Sequence, residues 1–228
     1  FTTTVPGKYG VADFGADFDY REITAHCNIY PKGNFAALVS ALDDIAAWLD
    51  PVQGLRQLIF DDAPDRYFMA RLNDAVDCER LIRSSGSFDL KFFCPDPFAY
   101  AITDETFSIT EAGTHTITRS IGNMESLPIY RIEGELSVGA SNYISITTNG
   151  AELKIVNATL SEEEALIVDT DKMTAYVVDA NGDTLRNGLP YLQELNFPTL
   201  HVGENTVIVE VSNATLTELQ IQAKSRWR

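Results

Sequence analysis

The sequence predicts a mainly β protein with one α-helix. It is arranged as an N-terminal α+β domain over residues 1–103 and a C-terminal β-sandwich over residues 104–228. Three observations carry this. Apolar and polar residues alternate with period two along Tyr20–Tyr30 and Ser87–Cys94, as in half-buried strands. Only Asn34–Leu49 shows helical spacing. From Phe107 onward, strand-like runs recur about every 8–12 residues between turn signals, the pattern of an all-β sandwich.

Taken in order, residues 1–18 are rich in Gly, Thr and Asp and predict an irregular or hairpin-like start. Tyr20–Tyr30 places Ile23, Ala25, Cys27 and Ile29 on one face and Glu22, Thr24, His26 and Asn28 on the other. Pro31-Lys32-Gly33 ends that strand. Asn34 is a natural N-cap, and Phe35, Leu38, Val39, Leu42, Ile45, Ala46 and Leu49 form one apolar stripe. Trp48 flanks the stripe, Asp43 and Asp44 face out, and Pro51 stops the helix. Strands follow at Leu55–Phe60, Tyr67–Leu72 and Ser87–Cys94, with pairing also expected over Cys78–Arg83. The intervening turns are Asp61–Arg66, Asn73–Asp77 and Ser84–Gly86. Pro95-Asp96-Pro97 breaks the ladder ahead of the domain boundary.

In the second domain Tyr143–Val156 is a hairpin, with Asn149-Gly150 as its two-residue turn. Ala165–Asp169, Ala175–Asp179, Leu200–His201, Thr206–Val211 and Thr217–Ala223 follow as strands.

The net charge is −16, and both halves are acidic. No basic run exists to grip a phosphate backbone, so sequence-specific nucleic-acid binding is not expected. An acidic surface would repel DNA and suit the lining of a DNA conduit, although solubility is the simpler reading. No apolar run is long enough to span a membrane, and no signal peptide opens the chain. The first residue is Phe1, which reads as a fragment or a processed form. Cys27, Cys78 and Cys94 lie far apart among apolar neighbours and read as reduced core residues of a cytoplasmically made protein.

No catalytic, cofactor-binding or metal site emerges. Asp43/Asp44 and Asp61/Asp62/Asp65 are adjacent carboxylates on a helix face and in a turn, not a pair facing across a substrate. Asp179–Asp183 begins like a calcium loop, but Thr184 and Pro190 stand where Gly and Glu are needed, so it reads as an Asn-Gly turn. His26, His115 and His201 are isolated from one another and from metal-ligand spacing. No G-x-S-x-G or Gly-rich phosphate loop is present. Asn157-Ala158-Thr159 and Asn213-Ala214-Thr215 match the glycosylation pattern by chance. Tyr130, Tyr143, Tyr176, Tyr191, Phe197 and Trp227 could stack on sugars, but their aliphatic neighbours favour core packing.

One series of motifs points further. The N-terminal part carries V-P-G-K-Y-G (Val5–Gly10), R-E-I-T-A (Arg21–Ala25), A-A-W-L (Ala46–Leu49), L-I-F-D-D (Leu58–Asp62), P-D-R-Y (Pro64–Tyr67) and C-P-D-P-F-A-Y (Cys94–Tyr100). The C-terminal part carries S-L-P-I-Y-R-I (Ser126–Ile132), I-V-D-T (Ile167–Thr170) and F-P-T-L-H-V-G-E-N-T (Phe197–Thr206). In order and spacing this series resembles the distal tail proteins of long-tailed bacteriophages.

The resemblance implies a structural, non-enzymatic virion component at the tail tip, without cofactor or metal. Its N-terminal domains would form a hexameric ring that gives passage to DNA, and its C-terminal domain would be a galectin-like sandwich. Implied partners are the tail tube protein, the tail-associated fibre or lysin hub, and receptor-binding or baseplate proteins, with no membrane insertion. The helix Asn34–Leu49 and the turn Asp61–Arg66 are the candidate inter-subunit faces. The alternative function is a carbohydrate-binding adhesion module for host cell-wall polysaccharide, although no His, Asn, Arg and Trp cluster of the galactose-binding kind is present.

Overall fold

A computed structural model describes the chain except Phe1, Val5, Lys8, Phe14, Ala16, Pro31, Lys32, 74–77 and 83–84; residues 78–82 and Ser85 are described by their backbone alone. The chain divides into two compact units, Phe1–Phe98 and Ala99–Arg228. The division falls after Phe98 rather than at 103, because Ala99–Ala101 pairs with the C-terminal residues Arg226–Trp227 and so belongs to the second unit.

The first unit contains β1 (Thr2–Thr3), β2 (Ala12–Asp13), β3 (Arg21–Ile29), α1 (Phe35–Trp48), β4 (Arg56–Phe60), β5 (Ala63–Leu72), β6 (Cys78–Ile82) and β7 (Ser85–Cys94). β1 and β2 form a two-residue ladder near the start of the chain. β3 runs antiparallel to β7 over its whole length, from Arg21↔Cys94 to Ile29↔Gly86, and among the described residues pairs with nothing else. β4 pairs with β5, β5 meets β7 at its C-terminal end, and β6 lies along the start of β7. The turn expected over Asn73–Asp77 falls largely outside the described residues, as does Arg83-Ser84.

α1 begins where Asn34 accepts the Ala37 amide at 2.9 Å, the N-cap geometry that satisfies one of the first orphan N–H groups. The helix closes where the Leu49 amide donates to the Ile45 carbonyl, and Pro51 opens a short 3-10 turn rather than another helical turn. Leu38 is fully buried and, with Leu42, Ile45 and Leu49, packs on the sheet residues Ile29, Ala70, Leu72, Phe88, Leu90, Phe92 and Cys94. The apolar stripe is therefore narrower than the spacing implies. Phe35 and Val39 are 45% and 39% exposed, because they sit on the flank of α1 rather than on the line facing the sheet.

Asp61–Arg66 is also not one turn. Only Asp61-Asp62 turn, and β5 starts at Ala63, opposite Phe60. The register then shifts so that Leu58 opposes Phe68. Pro64, which lacks a ladder N–H, is carried in that bulge.

The second unit contains β8 (Ala99–Ala101), β9 (Thr106–Ile109), β10 (Gly113–Arg119), β11 (Ile129–Glu135), β12 (Tyr143–Thr148), β13 (Ala151–Val156), β14 (Ala165–Asp169), β15 (Thr174–Val178), β16 (Thr184–Asn187), β17 (Gly203–Ser212), β18 (Thr215–Gln222) and β19 (Arg226–Trp227). A six-stranded sheet, β16-β15-β14-β11-β18-β9, and a four-stranded sheet, β10-β17-β12-β13, share one core. Tyr130, Ile132, Leu166, Val168, Leu219 and Ile221 come from the first, and Ile144, Ile146, Leu153, Ile155, Val207 and Val209 from the second. The β12–β13 hairpin turns on Asn149 and Gly150, both with positive φ (52° and 87°), as a type I′ turn requires. Leu200 forms a single bridge to Ser126 rather than a strand.

Arg119 is wholly buried here, and burial pushes its pKa down. Its guanidinium donates to the carbonyls of Ile121, Met124, Leu200 and His201, so one side chain pins two loops.

Candidate functional site

The carboxylates and histidines singled out from sequence do not converge. Asp43 and Asp44 are exposed on α1. Asp179 accepts the amides of Asn181 and Asp183 at 2.9 Å each, and these backbone bonds hold its carboxyl below the usual range. His26 lies 2.7 Å from Asp89 on the polar face shared by β3 and β7. His115 contacts the Glu111 carbonyl, and His201 lies 3.9 Å from Glu125. Among the described residues no group of His, Cys, Asp and Glu has the arrangement of a metal site. Among them, too, no helix is long and apolar enough to cross a membrane. Cys27 is half-buried and Cys94 fully buried, both as free thiols whose pKa burial raises. The side chain of Cys78 is outside the described residues.

The aromatic residues considered for stacking have other engagements. Tyr130 is buried and donates to Thr148, and burial pushes its phenol up. Tyr191 accepts from Arg186, Lys154 sits 4.6 Å above the Tyr143 ring, and Phe197 packs against the sandwich core. Tyr176 packs with Ile129 against a small cluster on the outer side of the six-stranded sheet.

The unusual chemistry of the surface is apolar, and it is concentrated in the first unit. Among the described residues, eleven of the exposed large hydrophobic side chains lie between Tyr9 and Ile59, against six in the larger second unit. On α1 it comprises Phe35 and Val39, one turn apart, with Trp48 (74% exposed) at the C-terminal end.

Beside Trp48 the end of the helix, the 3-10 turn Pro51–Gln53 and the strands β4 and β5 enclose a cavity of about 160 Å³. Leu49, Leu58, Ala70, Leu72 and Phe92 give it apolar walls. Asp50 shapes its rim by accepting the Val52 amide, and Gly54 reverses the chain at φ 77°. Arg56 also lines it, while the Arg71 side chain turns to the other face of the sheet, over the Phe93 ring at 4.9 Å. Among the described residues neither arginine is paired with a carboxylate. Sequence spacing could not show this groove, because five elements build it. The available signal was Trp48, which lies off the buried line of α1.

The β4–β5 turn presents the opposite chemistry. Asp61 and Asp62 are exposed, and Ile59, on the face of β4 away from Leu58, is 45% exposed. Asp65 is already occupied by a two-pronged contact with Arg66 at 3.0 Å, which holds its carboxyl below the usual range.

Comparison with known proteins places this geometry. Residues 2–94 match the family described as the phage tail protein RIFT-related domain. The whole chain superposes on the crystal structure of the SPP1 phage Dit protein (gp 19.1), described as a paradigm of the hub adsorption apparatus in phages infecting Gram-positive hosts. That likeness has a TM-score of 0.77 at 16% identity and covers 100% of this chain and 87% of that one. A component of the phage p2 baseplate in its activated conformation with Sr is a weaker likeness, with a TM-score of 0.43 at 9% identity over 98% of this chain and 85% of that one. No curated protein sequence matches the chain. The chain thus matches a phage tail domain family over residues 2–94 and shares its fold with the SPP1 Dit protein along its whole length.

Proposed function

We propose that this protein is the structural hub of a siphophage tail tip. In this reading six copies of the first unit close a ring that joins the tail tube to the host-adhesion apparatus and lets DNA through. The observation that carries it is the likeness to the SPP1 hub protein along the full chain, in a protein whose N-terminal unit matches a tail-protein family. Two physical features support it. The exposed apolar side chains cluster in the first unit, where the ring would form. Among the described residues β3 also pairs with β7 alone, so a neighbouring copy could add a strand along its far side. The net charge of −16 suits a passage that must not hold DNA.

The role is assembly, without catalysis. Its partners would be copies of itself, the tail tube protein, and the fibre, lysin or receptor-binding components of the tip, which places it in the virion. Negative-stain images of the purified chain test the ring: six-fold particles with a central hole support it, and particles of another symmetry overturn it. The sugar-binding alternative has no supporting geometry, since its best aromatic candidates are engaged in the sandwich.

A further inference from the structure

We propose that Asn181, in the exposed turn between β15 and β16, is a site of spontaneous modification, where the Gly182 amide closes on the Asn181 side chain and turns it into aspartate or isoaspartate.

The chain holds three Asn-Gly pairs: Asn149-Gly150, Asn181-Gly182 and Asn187-Gly188. Gly favours the reaction because, without a Cβ, its amide nitrogen can approach the preceding side-chain carbonyl carbon. That nitrogen gives up its proton and bonds to Cγ. The bond from Cγ to Nδ2 breaks, and ammonia leaves with the proton. Water then opens the resulting ring. Cleavage at Cγ leaves aspartate, and cleavage at the main-chain carbonyl leaves isoaspartate, with the backbone rerouted through the side chain.

The fold ranks the three pairs. At Asn149 the side chain is held at both ends. Its Nδ2 donates to Asn205 Oδ1 at 2.8 Å and to the Thr199 carbonyl at 3.3 Å, and its Oδ1 accepts the Thr206 amide at 3.1 Å. A carboxylate there would face two acceptors in place of its donor, which the fold resists. At Asn187 the attacking nitrogen is held instead. Gly188 is buried, and its amide donates to the Ala175 carbonyl at 2.8 Å. Leu166 and the Tyr176 backbone crowd it so closely that a Cβ would stand 2.5 Å from Leu166 Cδ1, so the backbone has no room to swing. Asn187 Oδ1 also accepts the Leu189 amide at 3.0 Å.

Asn181 has neither restraint. It and Gly182 are exposed, and nothing lies within 4 Å of where a Gly182 Cβ would stand. Among the described residues its side chain makes one bond, from Nδ2 to Asp179 Oδ2 at a weak 3.4 Å, and the carbonyl to be attacked makes none. The Gly182 amide is held by a single turn bond to the Asp179 carbonyl, at 3.0 Å. The product would place a further carboxylate between Asp179 and Asp183, at the join to edge strand β16.

Incubation of the folded full chain in mildly alkaline buffer, followed by peptide mapping with tandem mass spectrometry, reads the conversion of each asparagine. Asn181 is expected to convert at least about tenfold faster than Asn149 or Asn187, since each of those must first open bonds that the fold supplies. In the same chain unfolded in guanidinium chloride, all three are expected to convert at comparable rates. Equal or faster loss at Asn149 or Asn187 in the folded chain overturns the assignment. An Asn181 that stays intact while the unfolded chain reacts also overturns it. So does a ranking that persists unchanged on unfolding, which would trace it to sequence neighbours rather than to the fold.

Discussion

Arg186 grips the carboxylate of Glu164 with two N–H groups, at 2.5 and 2.8 Å, and reaches the Thr159 carbonyl with the same guanidinium. The contact ties edge strand β16 to the loop ahead of β14 and pulls the Glu164 pKa down to about 2. A carboxylate whose pKa is lower folded than unfolded stabilises above its unfolded value and loses that contribution as the pH falls through the folded one. Glu164→Gln should therefore cost about 1–2 kcal/mol at neutral pH, allowing for the partly exposed guanidinium. The difference in melting temperature between variant and wild type should shrink as pH falls from about 4.5 to about 2. A pH-independent difference would mean that the ion pair is not its source.

Leu38 is the buried centre of the α1 contact, and Val39, its neighbour in sequence, is exposed. Leu38→Ala should destabilise the first unit by about 2–5 kcal/mol through lost burial and the cavity left behind. Val39→Ala should change the stability of the unassembled chain by no more than about 0.5 kcal/mol. Urea titrations of both variants under dilute conditions check the contrast, and equal losses would mean that the helix presents a different face.

Gly134 and Gly150 both have positive φ but differ in surroundings. A Cβ at Gly134 would stand 2.0 Å from the Thr215 carbonyl oxygen, at the bulge where β11 shifts register against β18. A Cβ at Gly150 would meet nothing within 4 Å. Gly150→Ala should cost about 1 kcal/mol, from backbone conformation alone. Gly134→Ala should cost about 3 kcal/mol or more, because the ladder must move. Thermal melts of the two variants compare them directly.

Among the described residues Arg119 has no carboxylate bonded to it and four carbonyls around its guanidinium. Arg119→Met would keep the apolar stem and strip those carbonyls of their donors, at about 2–4 kcal/mol. Lysine cannot replace the planar fork, so Arg119→Lys should recover only part of the loss. Full recovery by lysine would mean that charge, not geometry, holds the loops.

The sequence displayed its local structure well. Asn34 caps α1, the Asn149-Gly150 turn carries its hairpin, and Ile23 to Ile29 alternate into the core, because neighbours along the chain decide each of these. Where partners distant in sequence decide, the reading failed. Pro64 and Asp65 have turn chemistry, yet pairing of β5 with β4 draws them into a bulged strand. Phe35 and Val39 have helical spacing, yet the sheet covers only the line through Leu38, Leu42, Ile45 and Leu49. The groove needed Leu58, Ala70, Leu72 and Phe92 to be brought beside Trp48, and no spacing rule encodes that juxtaposition.

The measurement that bears most directly on the hub reading is the mass of the purified chain in solution across a concentration series. Closed ring assembly predicts a species of about six times the 25.2 kDa chain, with no heavier open polymers. A mass of 25.2 kDa at every concentration, or a continuous ladder of ever larger species, would contradict it.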